Sequence, residues 1–441
     1  MSKISFIKAG ALLAIFILLS ILLSSIESTI YERSGYQEEA RQSIAESWTH
    51  EQSILLPILV IPHKIISQKK SWDNKLEKYT LQKVVEHKLH YEAFDMLDVT
   101  TELVSETQQR GIFNVPVYMA DINISGKINS QFIKDAKNSE RVQIKKPFIA
   151  IAVTDKRGFS DIPKIVINER EKNFLPGSQL AHSPFGLHVF LDNPNSDSFS
   201  IDASFKLKGM SKIAWIPSAK HTQLAVKSNW PHPSFVGRFL PQTRSIDASG
   251  YEASWETGEY SSAISDALTS CLGGHCEYLN NLELAVRQIN PIDSYVQSER
   301  AIKYSLLVIV MTFVVFILFE LMYQIHIHAV QYLLVGFALS LFYLLLIAIS
   351  EQANFFMAYV ISSIACISLI AFYMKAKLCN KQLSSLIAML AGLDSTLYLI
   401  IQSEDYAFLS GTMLLFFALA SVMIFTRNID WSKTLTRQAA K

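Results

Sequence analysis

A carboxylate stands near the middle of a long apolar run: Asp394 lies within residues 383–401, followed closely by Ser395, Thr396 and Tyr398. If that run crosses a bilayer, an ionised carboxylate at such depth costs about 2.5–3.5 kcal/mol. Protonation, a polar partner on a neighbouring helix or a water-filled cavity would each compensate it, and the three hydroxyls add local hydrogen-bonding capacity. Glu320 lies nearer the end of another apolar run, 305–323, and reaches an interface more cheaply. Two acidic groups at different depths point to a proton relay. The alternative is that both hydrogen-bond between helices and fix a bundle. This second reading is favoured, because the apolar runs between 305 and 425 contain no proline and show no repeat, whereas transporters are commonly built from repeats and interrupted helices. Glu351 reads as solvated, and the loop residues His326 and His328 are a weak signal for pH sensing.

Two further local sequences invite chemistry. Cys271 and Cys276 enclose Leu-Gly-Gly-His, and in an oxidising compartment they can close a small disulfide loop if the glycines permit the geometry. A metal site of Cys271, His275 and Cys276 is the alternative, short of a fourth ligand at zinc-like spacing. Cys366 and Cys379 read as ordinary reduced thiols. In Asn229-Trp230-Pro231-His232-Pro233-Ser234-Phe235, two prolines fix φ and remove donors, which ends a sheet ladder and holds Trp230, His232 and Phe235 on a stiff bend. That bend is either a recognition loop for a ligand or protein, or a packed corner whose aromatics close the end of a β core, the reading we favour. His232 has no evident nucleophile or metal partner, which is weak ground for catalysis. The H-E-x-x-H, G-x-S-x-G and G-x-x-x-x-G-K-[ST] patterns are all absent from the sequence. Asn123-Ile124-Ser125 fits a glycosylation acceptor in form only.

These residues must be positioned by two unlike bodies. Half of the 441 residues are hydrophobic and 18% are charged, against a norm of about 25%. Mean hydropathy is +0.23, too apolar for a soluble enzyme and too polar for a bare bundle of membrane helices. A net charge of +1 supplies no polyelectrolyte field, so nucleic acid is not an expected partner. Four cysteines in this length exclude a disulfide scaffold.

Six apolar runs are long enough to cross roughly 30 Å of hydrocarbon: 9–26, and then 305–323, 330–349, 355–374, 383–401 and 407–425. The resulting organisation is 1–26 for the N-terminus and first span, 27–304 for a large external domain, 305–425 for five spans and 426–441 for a tail. Lys3 and Lys8, then Lys375, Lys377 and Lys381, then Arg427, Lys433, Arg437 and Lys441 all fall on one side, while the opposite short loops carry Glu351, Glu404 and Asp405 without Lys or Arg. Basic flanks resist translocation, so both termini are predicted to be cytoplasmic. The first run could be a cleaved signal peptide; an anchor is preferred, since the run is longer than a usual h-region and its exit, Ser-Ser-Ile-Glu-Ser, lacks an A-x-A-like site.

From Arg141 onward the external segment alternates β-branched and aromatic residues with polar ones, giving predicted strands over 142–154, 164–168, 187–191, 199–207 and 223–228, with turn chemistry between them. Short helices are predicted over 36–48 and 260–271. The predicted fold class is a membrane protein of mixed α and β: an N-terminal transmembrane helix, a large, mostly antiparallel, sandwich-like β domain and a C-terminal five-helix transmembrane bundle.

Several strings in this sequence resemble the CreD family of bacterial inner-membrane proteins, described as cell envelope integrity proteins. They are Glu32-Arg33-Ser34-Gly35-Tyr36, Lys146-Pro147-Phe148 with Asp155 and Arg157-Gly158, and Ser228 to Phe235 continuing to Phe239-Leu240-Pro241. In the apolar block they are Gln331-Tyr332-Leu333-Leu334-Val335-Gly336, Phe342-Tyr343-Leu344-Leu345-Leu346 with Ser350-Glu351, and Thr426-Arg427-Asn428-Ile429-Asp430-Trp431. The likeness covers nearly the whole chain; 72–110 and the Cys-Leu-Gly-Gly-His-Cys loop fit it poorly. It implies a multi-pass inner-membrane protein with a periplasmic domain, linked to envelope stress, β-lactam response and colicin tolerance. It implies no enzyme activity, catalytic residue or cofactor. The expected partners are the lipid bilayer and a periplasmic or inner-membrane protein.

Overall fold

The segment Ile54-Leu55-Leu56-Pro57-Ile58-Leu59-Val60-Ile61 has no polar alternation, and a strand of that kind must be covered on both faces. The computed structural model of the chain shows how this is done. It describes residues 3–73, 78–193, 196–289, 294–323 and 325–402, with isolated positions between 409 and 423. Two compact units emerge: Ala40–Pro291, and Met1–Glu39 together with Ile292–Lys441. The first lies inside the external range 27–304 read from the sequence.

Its strands in chain order are β1 (Gln52–Asp73), β2 (Lys78–Glu92), β3 (Phe94–Arg110), β4 (Phe113–Asn129), β5 (Val142–Ile144) and β6 (Phe148–Val153). There follow β7 (Lys164–Ile167), β8 (Arg170–Asn173), β9 (Leu175–Pro176), β10 (Gly186–Phe190), β11 (Ser198–Met210) and β12 (Lys212–Ile216). The last are β13 (Ala219–Ser228), β14 (Pro233–Gly237), β15 (Thr243–Asp247), β16 (Gly250–Gly258) and β17 (Leu284–Gln288). The helices are α1 (Lys3–Ser47), α2 (Gln131–Lys137), α3 (Glu259–Ser262), α4 (Ile264–Leu272), α5 (Glu277–Asn280), α6 (Ser294–Lys303), α7 (Ser305–Tyr323), α8 (Ala329–Ser350), α9 (Phe355–Met374) and α10 (Asn380–Gln402).

One sheet of nine strands runs β14-β17-β12-β1-β6-β10-β9, with β2 and β5 also paired to β1; a second of eight runs β15-β16-β13-β3-β4-β11-β7-β8. β1 with β12 and β3 with β13 are parallel. The long pairings of β1 with β2, β3 with β4 and β4 with β11 are antiparallel. The two sheets share one core, to which β11 contributes Phe199, Ile201, Ala203, Phe205 and Leu207 at alternate positions.

In β6 the sequence Phe-Ile-Ala-Ile-Ala-Val sends Ile149, Ile151 and Val153 into that core and Phe148, Ala150 and Ala152 to the outer face. There α4 covers them with Ile264, Ala267, Leu268 and Cys271, an apolar stripe at helical spacing. β1 behaves in the same way, with a change of parity. Ile54 and Leu56 face the core before Pro57, and Leu59 and Ile61 after it, because the register against β6 shifts between Leu55 and Ile58. Pro57 cannot donate to the ladder, and its carbonyl accepts from the buried Ser218 hydroxyl at 2.8 Å.

Sequence reading placed the strands from Arg141 onward, yet the four longest, of 22, 15, 17 and 17 residues, precede it. β1 escapes because a uniform apolar run with two prolines carries no period, and β2 because Lys and His residues fall on both of its faces. The predicted strand 142–154 divides at Lys145-Lys146-Pro147 into β5 and β6. The helix predicted over 260–271 is interrupted at Ala263, whose φ of 47° is left-handed. The first apolar run and the helix predicted over 36–48 are one helix, α1, since nothing between them breaks it.

The end of α1 is held by a clamp. Arg157 donates to the carbonyls of Glu46 at 2.7 Å and Ala45 at 3.2 Å, satisfying acceptors that a helix C-terminus leaves open. Asp155 in turn grips Arg157, Nη2 to Oδ2 at 2.6 Å and Nε to Oδ1 at 3.1 Å, and accepts from His50 N–H. The Arg157 guanidinium beside it holds the Asp155 carboxyl well below the usual carboxylate range. The next residue has to be glycine. A Cβ on Gly158 would stand 2.7 Å from the Lys208 carbonyl oxygen and 2.5 Å from Gln52 Nε2.

Among the described residues, four helices are long and apolar enough to cross a membrane, counting α1 from Gly10, α8, α9 and α10; α6 and α7, bent by 48°, add a fifth if taken as one span. The predicted span 305–323 coincides with α7 and 355–374 with α9. The predicted span 407–425 falls outside the described residues except at isolated positions. α1 and α8 approach closely at Gly336, where a Cβ would lie 2.3 Å from Cδ1 of the fully buried Leu19.

Two outcomes follow from these contacts. A depressed carboxyl contributes stability that is complete above about pH 4 and is lost as pH falls through its lowered value. Asp155→Asn is therefore expected to destabilise the β unit by about 1–3 kcal/mol at neutral pH, with the gap to wild type closing on acidification, as read by urea titration of tryptophan fluorescence. Gly336→Leu is expected to overpack the α1–α8 contact and cost about 1–3 kcal/mol, seen as a lower unfolding temperature in detergent that Leu19→Ala partly restores.

Candidate functional site

Within the helical unit, Asp394 of α10 meets α9 through Tyr359, whose hydroxyl donates to the Asp394 backbone carbonyl at 2.7 Å. Tyr343 of α8 and Cys366 of α9 lie near the Asp394 carboxylate. Aromatic rings pack around Tyr359, which stands 5.1 Å from Tyr398 and 5.4 Å from Phe342, centroid to centroid. The hydroxyls of Tyr343 and Ser362 are buried without a hydrogen-bond partner among the described residues. Three helices thus bring hydroxyls, a thiol and a carboxylate together in an otherwise apolar bundle.

The neighbours expected to serve Asp394 do something else. Ser395 donates to the Ala391 carbonyl at 2.7 Å and Thr396 to that of Gly392 at 2.8 Å, one turn back on their own helix. Tyr398 accepts from Gln402 at 2.7 Å. The tyrosines that reach Asp394 come from other helices, a pairing that local sequence cannot reveal.

Glu320 has a different partner. The Tyr332 hydroxyl, on α8, donates to its carboxylate at 3.3 Å, and the Tyr332 ring meets Phe313 edge-on at 5.4 Å. Each of these acidic residues is thus bonded by a tyrosine of a neighbouring helix, Glu320 at its carboxylate across α7–α8 and Asp394 at its backbone carbonyl across α9–α10.

Glu351 corrects the sequence reading, which took it as solvated. Its side chain is 15% exposed, accepts from the Tyr295 hydroxyl of α6 at 3.0 Å and lies 3.9 Å from Arg33 of α1. Two strings of the family resemblance, Glu32 to Tyr36 and Ser350-Glu351, meet at this point. The signal was present as an Arg and a Glu at corresponding ends of two apolar runs.

In the β unit, the bend at Trp230 carries the chain from the eight-stranded sheet to the nine-stranded one, from β13 to β14. Asn229 imitates a ladder residue, accepting from Ser105 N–H at 2.8 Å and donating to the Ser105 carbonyl at 3.1 Å. Trp230 Nε1 donates to the Ile289 carbonyl at 3.0 Å, and its ring packs with Phe235 on the shared core. Phe235 meets Tyr251 and Trp255 edge-on at 5.7 and 5.8 Å. His232 is exposed, and its carbonyl accepts from Ile289 N–H at 3.1 Å.

Cys271 and Cys276 form a disulfide that closes the turn between α4 and α5. With both sulfurs bonded, neither offers a thiolate, and the alternative metal site with His275 loses its ligands. Beside the disulfide lies a cavity of about 430 Å³, walled by Leu55, Ile58, Leu180, Leu268 and Leu279, with His182 and Glu283 at its rim. Glu283 is engaged by Lys212 and by the Ser53 hydroxyl, the latter at 3.1 Å.

The family model described as inner membrane protein CreD matches residues 4–432. The inner membrane protein CreD of Escherichia coli (strain K12) is 31% identical over 439 residues, an alignment that takes in 97% of this chain and 93% of that protein. A match of this extent, across both the β unit and the apolar helices, places the chain in the CreD family of inner membrane proteins.

Proposed function

We propose that this chain is a six-span inner-membrane protein, with both termini cytoplasmic and the β unit on the periplasmic side, that maintains envelope integrity under stress without an enzymatic reaction of its own. Basic flanks support the orientation: Lys375, Lys377 and Lys381 lie on one side, and Glu351 with Glu404 and Asp405 on the other. Tolerance of β-lactams and of a colicin would be the visible phenotypes. The β unit would act as an interaction module for a periplasmic or inner-membrane protein, and the Trp230–Phe235 bend would keep its two sheets in the arrangement such a partner reads.

One observation carries the non-enzymatic reading: both acidic residues of the apolar block are tied to tyrosines of neighbouring helices, Asp394 by its backbone carbonyl to Tyr359 and Glu320 by its carboxylate to Tyr332. Such ties serve to set helix packing. A second reading, a proton-coupled device, draws on the buried hydroxyl of Tyr343, which lies near Asp394 and has no hydrogen-bond partner among the described residues.

Complementation of a deletion strain, scored by envelope permeability and β-lactam sensitivity at matched membrane levels, separates the two. Asp394→Asn keeps the Tyr359 bond to the backbone and is expected to complement fully; failure of a normally inserted protein would transfer the case to the proton-coupled reading. Trp230→Ala removes ring packing and the bond to Ile289, at a cost of about 1–3 kcal/mol, and is expected to impair complementation.

A further inference from the structure

Past Ile61, β1 continues with β2 in unbroken antiparallel register from Leu59 opposite Glu92 to Asp73 opposite Lys78; β5 flanks β1 over His63–Ile65, and beyond Ile66 β1 and β2 run on as a two-stranded arm. The pairing sets Trp72 opposite Tyr79, Lys70 opposite Leu81 and Ile66 opposite Val85. Side chains alternate across a strand, so these residues share one face, and Lys64, Lys83 and Leu89 occupy further positions on it. Nearer the core this face is the outer surface that α4 and α5 cover; along the arm it has no such cover.

Its composition is unusual for a solvated ribbon. Trp72, Tyr79, Leu81, Val85 and Leu89 are 51%, 69%, 62%, 43% and 46% exposed. An apolar stripe of this kind on a soluble surface marks a site of interaction. From Pro62 to Trp72 on β1 and from Tyr79 to Leu89 on β2, the same-face positions include no Asp or Glu. Glu86 and Lys88 are one step out of phase, and pair with each other at 3.1 Å on the opposite face. The aromatic pair stands at the distal end, its rings edge to face with centroids 5.1 Å apart.

Each part of this pattern selects the same partner chemistry. Tryptophan and tyrosine settle at the headgroup level of a bilayer, where an amphipathic ring has both apolar and hydrogen-bonding surroundings. Lysines near a membrane are drawn to anionic lipid, and their stems lie along apolar surface while the ammonium stays with the phosphates. A protein partner of matching charge would have to supply acids opposite three lysines between apolar pockets, whereas an anionic lipid surface offers both environments by its layered nature.

We propose that the β1–β2 arm is a lipid-sensing element, whose face bearing Trp72, Tyr79 and Leu81 lies on an anionic phospholipid surface with Lys64, Lys70 and Lys83 on the lipid phosphates. The test uses the full chain in proteoliposomes made with bromine-labelled acyl chains, crowded enough that either the host vesicle or a neighbouring one can supply the surface. Among six tryptophans, the signal of Trp72 is isolated as the difference between wild type and Trp72→Phe. In phosphatidylglycerol-rich vesicles that difference emission is expected to shift to the blue and to be quenched by bromine. Most of the quenching should be lost in phosphatidylcholine vesicles, and also in Lys70→Glu with Lys83→Glu, but not in Glu86→Lys. The comparison between lipids needs no charge variant and is independent of any folding defect in one. Emission that stays unquenched in phosphatidylglycerol overturns the proposal, as does equal quenching in both lipids; a blue shift without quenching would show protein covering the face, and overturns it too.

Discussion

The burial of both faces of β1 and β6 is the constraint from which the β unit follows. A strand in which every residue from Ile54 to Ile61 but Pro57 is a large aliphatic cannot leave either face in water. One face is met by the second sheet, which brings Phe205, Trp255 and their neighbours into a shared core. The other is met by the short helices α4 and α5, and the disulfide between Cys271 and Cys276 shortens the span of conformations open to that cover. The cavity beside the disulfide lies where helices of nine and four residues are too small to cover a sheet face completely. When β1 runs on past Ile61, the same face continues beyond its cover, and the arm with its exposed aromatics results.

Polar residues in this protein act mainly as ties between elements. Arg157 holds the last carbonyls of α1 and is itself held by Asp155; Glu351 gathers Arg33 and Tyr295; Tyr359 and Tyr332 each reach across to a neighbouring helix. A tie of this kind costs little where both partners are satisfied and much where one is left alone, which confers direction on packing that dispersion forces between apolar helices do not supply. The group around Asp394 departs from this pattern, since the buried Tyr343 hydroxyl near it has no hydrogen-bond partner among the described residues.

The candidate residues were legible in the sequence by type and by depth in an apolar run, and their partners were not. Asp394 stands out in any hydropathy profile, but Tyr359, some thirty-five residues away, becomes its partner through the crossing of α9 and α10. Ser395 and Thr396 seemed the natural helpers by proximity and instead bond their own helix, because one turn back is the acceptor within easiest reach. The two prolines around His232 marked a bend, and only the sheets reveal that this bend is a crossing from one to the other. Glu351 was misread for a related reason: exposure at the end of a helix depends on whether another element arrives there, and α6, which supplies Tyr295, was not recognised as separate from the external domain.

The amino-acid sequence by itself determined the partition of the chain into an apolar helical part and a β-rich part, the extents of several helices, and the family. These rest on the local density of apolar side chains and on strings of consecutive residues, both of which are properties of the chain read in order. Tertiary structure decided which face each strand presents, where β1 shifts register at Pro57, which tyrosine reaches which carboxylate, and that Cys271 and Cys276 bond. The physical reason is that a strand or helix period specifies two faces without saying what will cover them, and a hydrogen bond between residues distant in sequence exists only once packing has brought donor and acceptor within about 3 Å.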